Sequence, residues 1–132
     1  MQSHRQLIPK IPMVAVVDDD PAVRNSLQFS LEIEGYTVRT YPDGAALLEE
    51  ADLNDCACLI IDQSLPGLAG TDVVTRLRER HILAPIILIT SHRDPALGRG
   101  ISCAGVHIVE KPLLDNALLD RIRRTLDPQP KH

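Results

Sequence analysis

Short apolar runs alternate with amphipathic stretches along this chain, and the alternation is regular enough to place elements. Residues 13–17 are continuously apolar and predict a first strand, followed at once by Asp18, Asp19 and Asp20. Asp20-Pro21 has the form of a helix start, with an acidic N-cap and proline in the first turn. Val23, Leu27 and Leu31 then recur at i, i+4 and i+8, one stripe of a first helix. Gly35 suits the C-terminal cap of that helix. Residues 36–41 alternate and are rich in β-branched side chains, which predicts strand two. Pro42-Asp43-Gly44 turns into a short second helix carrying Ala46, Leu47 and Leu48, and residues 57–61 form another fully apolar run that stops at Asp62.

Leu65-Pro66-Gly67 breaks the chain before a third helix over 71–80, which should bury Val73, Val74 and Leu77. Residues 86–89 predict strand four, ending at Thr90. Asp94-Pro95 repeats the helix-start signal. The fourth helix it opens is weakened by Gly98 and Gly100, each costing about 1 kcal/mol relative to alanine. Residues 106–109 predict strand five, just before Lys111-Pro112. Leu114, Leu118 and Ile122 stripe a fifth helix that Asp127-Pro128 stops. Five alternations with short connections imply an α/β fold, a parallel sheet with helices on both faces. The expected boundaries are a tail over 1–12, one domain over 13–126 and a second tail over 127–132.

Composition narrows this further. Aromatic residues are 2% of the 132 positions and hydrophobic residues 44%. The core must therefore be built from Leu, Ile, Val and Ala, as suits strands buried on both faces. A net charge of −4 leaves no basic field to hold nucleic acid by its phosphates. Arg121, Arg123 and Arg124 are expected to form a solvated face near a helix C-terminus, where cations are favourable. Cys56, Cys58 and Cys103 are odd in number and lack disulfide-framework or zinc-site spacing, so they are expected as buried thiols in a reducing compartment. The apolar run near the start is short, interrupted by Pro12 and without a cleavage site. It is neither signal peptide nor membrane span, and a cytoplasmic location is expected.

The chemistry sits where the strands stop. In such a sheet, ligands bind at the carboxyl ends of the strands, and the polar residues there are Asp18, Asp19, Asp62, Thr90, Ser91 and Lys111. Three carboxylates in one crevice repel each other and call for compensation. A hard cation with oxygen ligands provides it, and Mg²⁺ takes one or two carboxylates while accepting a phosphoryl oxygen. Lys111 supplies a second positive charge, and Thr90 a hydroxyl donor for an oxyanion. The set fits phosphoryl transfer to a carboxylate nucleophile. Asp20 is expected as an N-cap, which needs no metal, and His81 and His107 have no ligand-like spacing.

Four motifs in order, Val16-Val17-Asp18-Asp19-Asp20, Ile61-Asp62 with Leu65-Pro66-Gly67 and Gly70, Ile89-Thr90-Ser91, and Glu110-Lys111-Pro112, make residues 13–126 resemble the receiver domains of two-component response regulators. This is the CheY-like superfamily, which includes the chemotaxis receiver. The resemblance implies a doubly wound, flavodoxin-like five-stranded parallel sheet in the order 2-1-3-4-5. It implies Asp62 as phosphoacceptor, with Asp18, Asp19, Asp62 and the Ser64 backbone carbonyl as the Mg²⁺ site. Lys111 would pair with the Asp62 carboxylate or its phosphoryl group, and Thr90 would swing inward to bond it. The Lys111-Pro112 peptide is often cis in the family, and His92 stands where relatives influence dephosphorylation.

The same resemblance implies a phosphorelay partner, a histidine kinase or histidine phosphotransfer protein, and a downstream protein target. It leaves room for a homodimer through the face of the fourth helix, strand five and the fifth helix. Self-phosphorylation and slow self-hydrolysis would make the chain a phosphoprotein switch rather than an enzyme in the usual sense. With few residues after the last helix, a stand-alone receiver without a DNA-binding domain is the expectation. Two departures bear on output. The switch position three residues before Lys111, often aromatic in receivers, is Ile108. The acid common before Gly70 is Ala69, with little effect on metal binding expected. Output is therefore expected through the fourth helix or the loop after strand four. Two rivals are a phosphorylation-independent binding module and an aspartyl-nucleophile Mg²⁺ phosphohydrolase. The latter needs a second Asp where Ser64 stands.

Overall fold

The predicted apolar runs become five strands: β1 (Met13–Val17), β2 (Thr37–Tyr41), β3 (Cys58–Asp62), β4 (Ile86–Thr90) and β5 (Val106–Glu110). They form one sheet in the order β2-β1-β3-β4-β5, with every neighbouring pair parallel. The helices are α1 (Pro21–Ile33), α2 (Gly44–Leu48), α3 (Gly70–Glu79) and α4 (Ala117–Leu126). The computed structural model describes residues 12–50, 53–91, 105–111 and 117–126. The fourth helix expected from Asp94, Pro95, Gly98 and Gly100 lies outside these residues, as do His92, Cys103, Pro112 and Leu114; α4 is the fifth helix of the sequence pattern. Both expected tails also fall outside them, apart from Pro12.

Successive strand side chains point to opposite faces, so each apolar run feeds two cores. Ala15, Val17, Leu59, Ile61, Ile86 and Leu88 pack against Leu47 and Leu48 of α2 and Val73, Val74 and Leu77 of α3. Val14, Val16, Cys58, Ile60, Ile87 and Ile89 pack on the other side against Leu31 of α1 and Leu118 and Ile122 of α4. Full burial of a Val, Leu or Ile side chain among them stabilises the fold by about 1.5–3 kcal/mol. Cys56 and Cys58 are buried free thiols as expected, and burial pushes the Cys58 thiol up to about 12. Among the described residues no helix is long and apolar enough to cross a membrane.

Helix ends explain the small differences from the sequence pattern. Asp20 caps α1 by accepting the Ala22 N–H at 2.9 Å. At the other end Gly35, at φ +100°, donates to Glu32 O at 3.0 Å, while Tyr36 donates to Leu31 O at 3.1 Å. This paired closure is a Schellman motif. It occupies Tyr36, so β2 begins one residue later than expected. Helix α3 starts at Gly70, one residue earlier than expected, and ends at Glu79 with Arg80 as its C-cap. Of the predicted α1 stripe only Leu31 is fully buried; Val23 and Leu27 are half-buried. The arginine triplet is not uniformly solvated. Arg123 and Arg124 are exposed, and Arg123 pairs with Glu34 at 2.9 Å and Asp120 at 2.9 Å. Arg121 is half-buried because it lies one position before the core residue Ile122.

Candidate functional site

Strand register brings the acidic residues to one edge. Val17 lies opposite Ile61, Asp62 opposite Ile89, and Thr90 opposite Glu110. Asp18, Asp62, Thr90 and Lys111 therefore emerge together at the carboxyl end of the sheet. Asp18, Asp62 and Thr90 are the buried polar residues among those described, 5%, 4% and 5% exposed. Asp19 is exposed. One carboxylate oxygen from each of Asp18, Asp19 and Asp62 lies within 4.8 Å of the others.

Lys111 is delivered to this cluster by β5. Its N–H donates to Thr90 O at 2.7 Å, and its Nζ stands 3.2 Å from Asp62 Oδ1. The ion pair lies off the hydrogen-bonding direction, for Asp62 Oδ1 is buried without a hydrogen bond among the described residues. Asp18 is held on three sides. Its N–H donates to Tyr41 O at 3.1 Å. Its carbonyl accepts from Arg24 Nη1 at 2.7 Å, and its Oδ1 accepts the Asp20 N–H at 2.9 Å. Burial pushes the Asp18 carboxyl above its ordinary value of 3.8. The Asp20 amide and Lys111 ammonium work against the rise, and the Asp62 and Asp19 carboxylates add to it.

These residues fit a hard divalent cation. Among the described residues, the converging oxygens of three acids, one ammonium beside them and a buried oxygen lacking a hydrogen bond are what such an ion satisfies. Ser64 is exposed in the loop between β3 and α3, which Leu65 anchors in the core and Gly67 turns at φ +79°. Ile108 is half-buried, lies opposite Leu88 and packs on the core beneath α3. Asp20 acts as the N-cap of α1.

Two residues escaped the sequence reading. Arg24 grips the Asp18 carbonyl from the first turns of α1. Gln63 bonds the start of α3: its Oε1 accepts the Thr71 N–H at 2.9 Å and its Nε2 donates to Thr71 Oγ1 at 3.4 Å. The signal for Gln63 was Ala69, an N-cap position with no side chain able to cap.

The profile of the response regulator receiver domain family matches residues 14–123. The chain is a receiver domain. Accepting phosphoryl groups in two-component signalling is the role of this family, and it is not that of a conventional enzyme. Among curated relatives, the receiver domain is 36% identical over 110 residues to the C4-dicarboxylate transport transcriptional regulatory protein DctR of Rhodobacter capsulatus, covering 81% of this chain and 56% of that protein. It is 32% identical over 120 residues to the transcriptional regulatory protein FixJ of Azorhizobium caulinodans, covering 90% and 57%. The chain thus spans a little over half the length of these relatives. Among solved structures it resembles the chemotaxis protein CheY4 of Vibrio cholerae, with a TM-score of 0.78 and 25% identity over 89% of this chain and 100% of that one. It also resembles the response regulator TrrA of Thermotoga maritima, solved with Mg²⁺-BeF, with a TM-score of 0.72 and 27% identity over 88% and 100%.

Proposed function

We propose that Asp62 is the phosphoacceptor of this receiver domain, with Mg²⁺ held by Asp18, Asp19, Asp62 and the Ser64 carbonyl. The observation that carries this reading is the convergence of three carboxylates within 4.8 Å with Lys111 Nζ on the buried Asp62. TrrA was solved with Mg²⁺-BeF, which supports magnesium as the ion.

The donor is a phosphohistidine on a histidine kinase or phosphotransfer protein. An Asp62 carboxylate oxygen attacks phosphorus; the P–O bond forms as the P–N bond breaks, and the imidazole leaves with the electron pair and takes up a proton. Bound Mg²⁺ supplies neutralising charge to the carboxylates and the transferring phosphoryl oxygens. Lys111 offsets the remaining negative charge, and the Thr90 hydroxyl donates to a phosphoryl oxygen. Asp18 and Asp19 orient the ion, and the Asp20 N–H fixes the Asp18 carboxylate. Slow hydrolysis of the acyl phosphate resets the domain. The acyl phosphate biases an equilibrium between two surface conformations, read by a partner protein or a second copy through the face of the expected fourth helix, β5 and α4. Ile108 moves within the aliphatic core, without the polar swing of an aromatic residue. Buried free Cys56 and Cys58 support a reducing, cytoplasmic setting.

Incubation with acetyl phosphate and Mg²⁺, read by intact mass, tests the assignment. One added phosphoryl group on the native chain, absent from Asp62→Asn, is the expected result. An unlabelled native chain returns the phosphorylation-independent binding module, and rapid multiple turnover of the donor returns the hydrolase.

A further inference from the structure

We propose that Gln63 is a positioning residue: by capping α3 from the end of β3, its side chain fixes the backbone that presents the Ser64 carbonyl and Asp62 to the cation. The inference rests on the ligand assignment made above for Asp62 and Ser64.

A helix start leaves its first N–H groups without partners. Helices α1 and α2 satisfy theirs locally, through Asp20 and Asp43. Helix α3 has Ala69 at the N-cap and no side-chain cap of its own. Its Thr71 N–H goes instead to Gln63 Oε1 at 2.9 Å, eight residues back. The amide orientation follows, since only the oxygen can accept from an N–H, and Nε2 is left facing Thr71 Oγ1 at 3.4 Å.

The backbone of Gln63 is pinned as well. Its N–H donates to Ile89 O at 2.8 Å, and its carbonyl accepts the Gly70 N–H at 3.0 Å. At Gly70 the helix approaches so closely that a Cβ would stand 2.8 Å from Asp62 O and 2.9 Å from Gln63 Cα. The end of β3 and the start of α3 are thus one joint, and Gln63 bonds both sides of it. An acid at position 69 would satisfy the helix start without touching residue 63. The amide at 63 does both tasks, so capping strength is coupled to the position of the next residue, Ser64, whose carbonyl is the assigned ligand.

Four forms separate positioning from plain stability: the native chain, Gln63→Leu, Ala69→Asp, and both together. Each is measured for its Mg²⁺ dissociation constant by calorimetry and for its urea midpoint. Gln63→Leu should lower the midpoint and weaken Mg²⁺ about tenfold, the low end of what loss of a ligand's supporting bond brings. Adding Ala69→Asp should recover the midpoint while leaving Mg²⁺ weak. Ala69→Asp alone should bind Mg²⁺ as the native chain does. Should Gln63→Leu fold poorly, the double variant compared with Ala69→Asp carries the test. Native-like Mg²⁺ affinity in the variants lacking Gln63, or recovery of affinity together with the midpoint, overturns the inference and leaves the ligand assignment standing. A native chain that binds no Mg²⁺ overturns both.

Discussion

Helices α1 and α3 occupy equivalent places, each following a strand that delivers an acid of the site, yet their ends are built in different ways. The ends of α1 are written at the ends themselves: Asp20 caps it, Pro21 opens it, and Gly35 closes it. The ends of α3 are assembled from elsewhere. Gln63 caps it across the loop, Gly70 fits it against the carbonyl of Asp62, and His81 closes it at φ +62° without being glycine. Both starts are nevertheless fastened to the site. The Asp20 N–H bonds Asp18 Oδ1, and the Thr71 N–H bonds Gln63 Oε1. A helix whose caps are local answers to its own sequence. One capped from a neighbouring strand moves with that strand.

The largest effect should come where α3 touches β3. In Gly70→Ala the new methyl would stand 2.7 Å from Leu88 Cδ1 and under 3 Å from the backbone of Asp62 and Gln63. Backbone cannot rotate away, so the cost should reach about 3 kcal/mol, the upper part of the range for overpacking. Gly35→Ala meets nothing within 4 Å among the described residues and should cost about 1 kcal/mol, for its positive φ alone. Urea denaturation of the two variants measures the contrast. Equal losses would mean that the close approach does not govern α3.

That contrast also marks what the sequence could disclose. Aliphatic runs, the alternation of strand two, Asp-Pro and Gly signals and four ordered motifs were enough for the strands, for α1 and for the acid cluster, because each of those features depends on residues adjacent in sequence or on a resemblance spanning the chain. The strand order came from the resemblance, since periodicity says nothing about which strands are neighbours. Ala69 signalled only that α3 lacks a local cap; Gln63 as its replacement could not be read, because its bond crosses eight positions and exists only once β3 and α3 are packed. The burial of Arg121 was hidden for a related reason: the charge run suggested a solvated face, and tertiary packing beside Ile122 overrode it.

Asp18 sets the next largest effect, because it is both a candidate ligand and the partner of the Asp20 amide. Burial raises its carboxyl above 3.8, so the native state holds that proton more tightly than the unfolded chain. Its contribution favours folding at acid pH and is lost as pH rises from 3.8 through the raised native value. Without metal, Asp18→Asn should therefore stabilise the domain at neutral pH, with the gain shrinking as pH falls through that interval. With Mg²⁺ at a hundred times its dissociation constant, the native chain should gain about 2.7 kcal/mol and Asp18→Asn much less. Thermal melts with chelator and with Mg²⁺ read both arms. A metal-free variant less stable than the native chain at neutral pH would show that the Asp20 bond outweighs the cost of burying the charge.

Removing the local cap of α1 by Asp20→Ala should cost about 1 kcal/mol. Supplying one to α3 by Ala69→Asp should return much less than that, because Gln63 already occupies the Thr71 N–H. A full gain at Ala69 would mean that the long-range cap contributes little. Urea midpoints of both variants decide.

The smallest effect lies at the far end of α3. His81 donates its N–H to Arg78 O at 3.0 Å, and Ile82 donates to Leu77 O at 3.0 Å. These are the two closures that Gly35 and Tyr36 make for α1, here with a Cβ in the left-handed region. Glycine at 81 removes that crowding but enlarges the freedom of the unfolded chain, so His81→Gly should stabilise by only about 0.5 kcal/mol, while His81→Ala keeps the crowding and should not. The site should be indifferent to both, since His81 follows the far end of α3 from Gly70, where that helix meets Asp62, and acetyl phosphate labelling should proceed at the native rate. A His81→Gly variant that melts below the native chain would mean that the imidazole makes a stabilising contact strong enough to offset its backbone. The two helices would then differ at this end in what the side chain does, and not merely in which residue tolerates the turn.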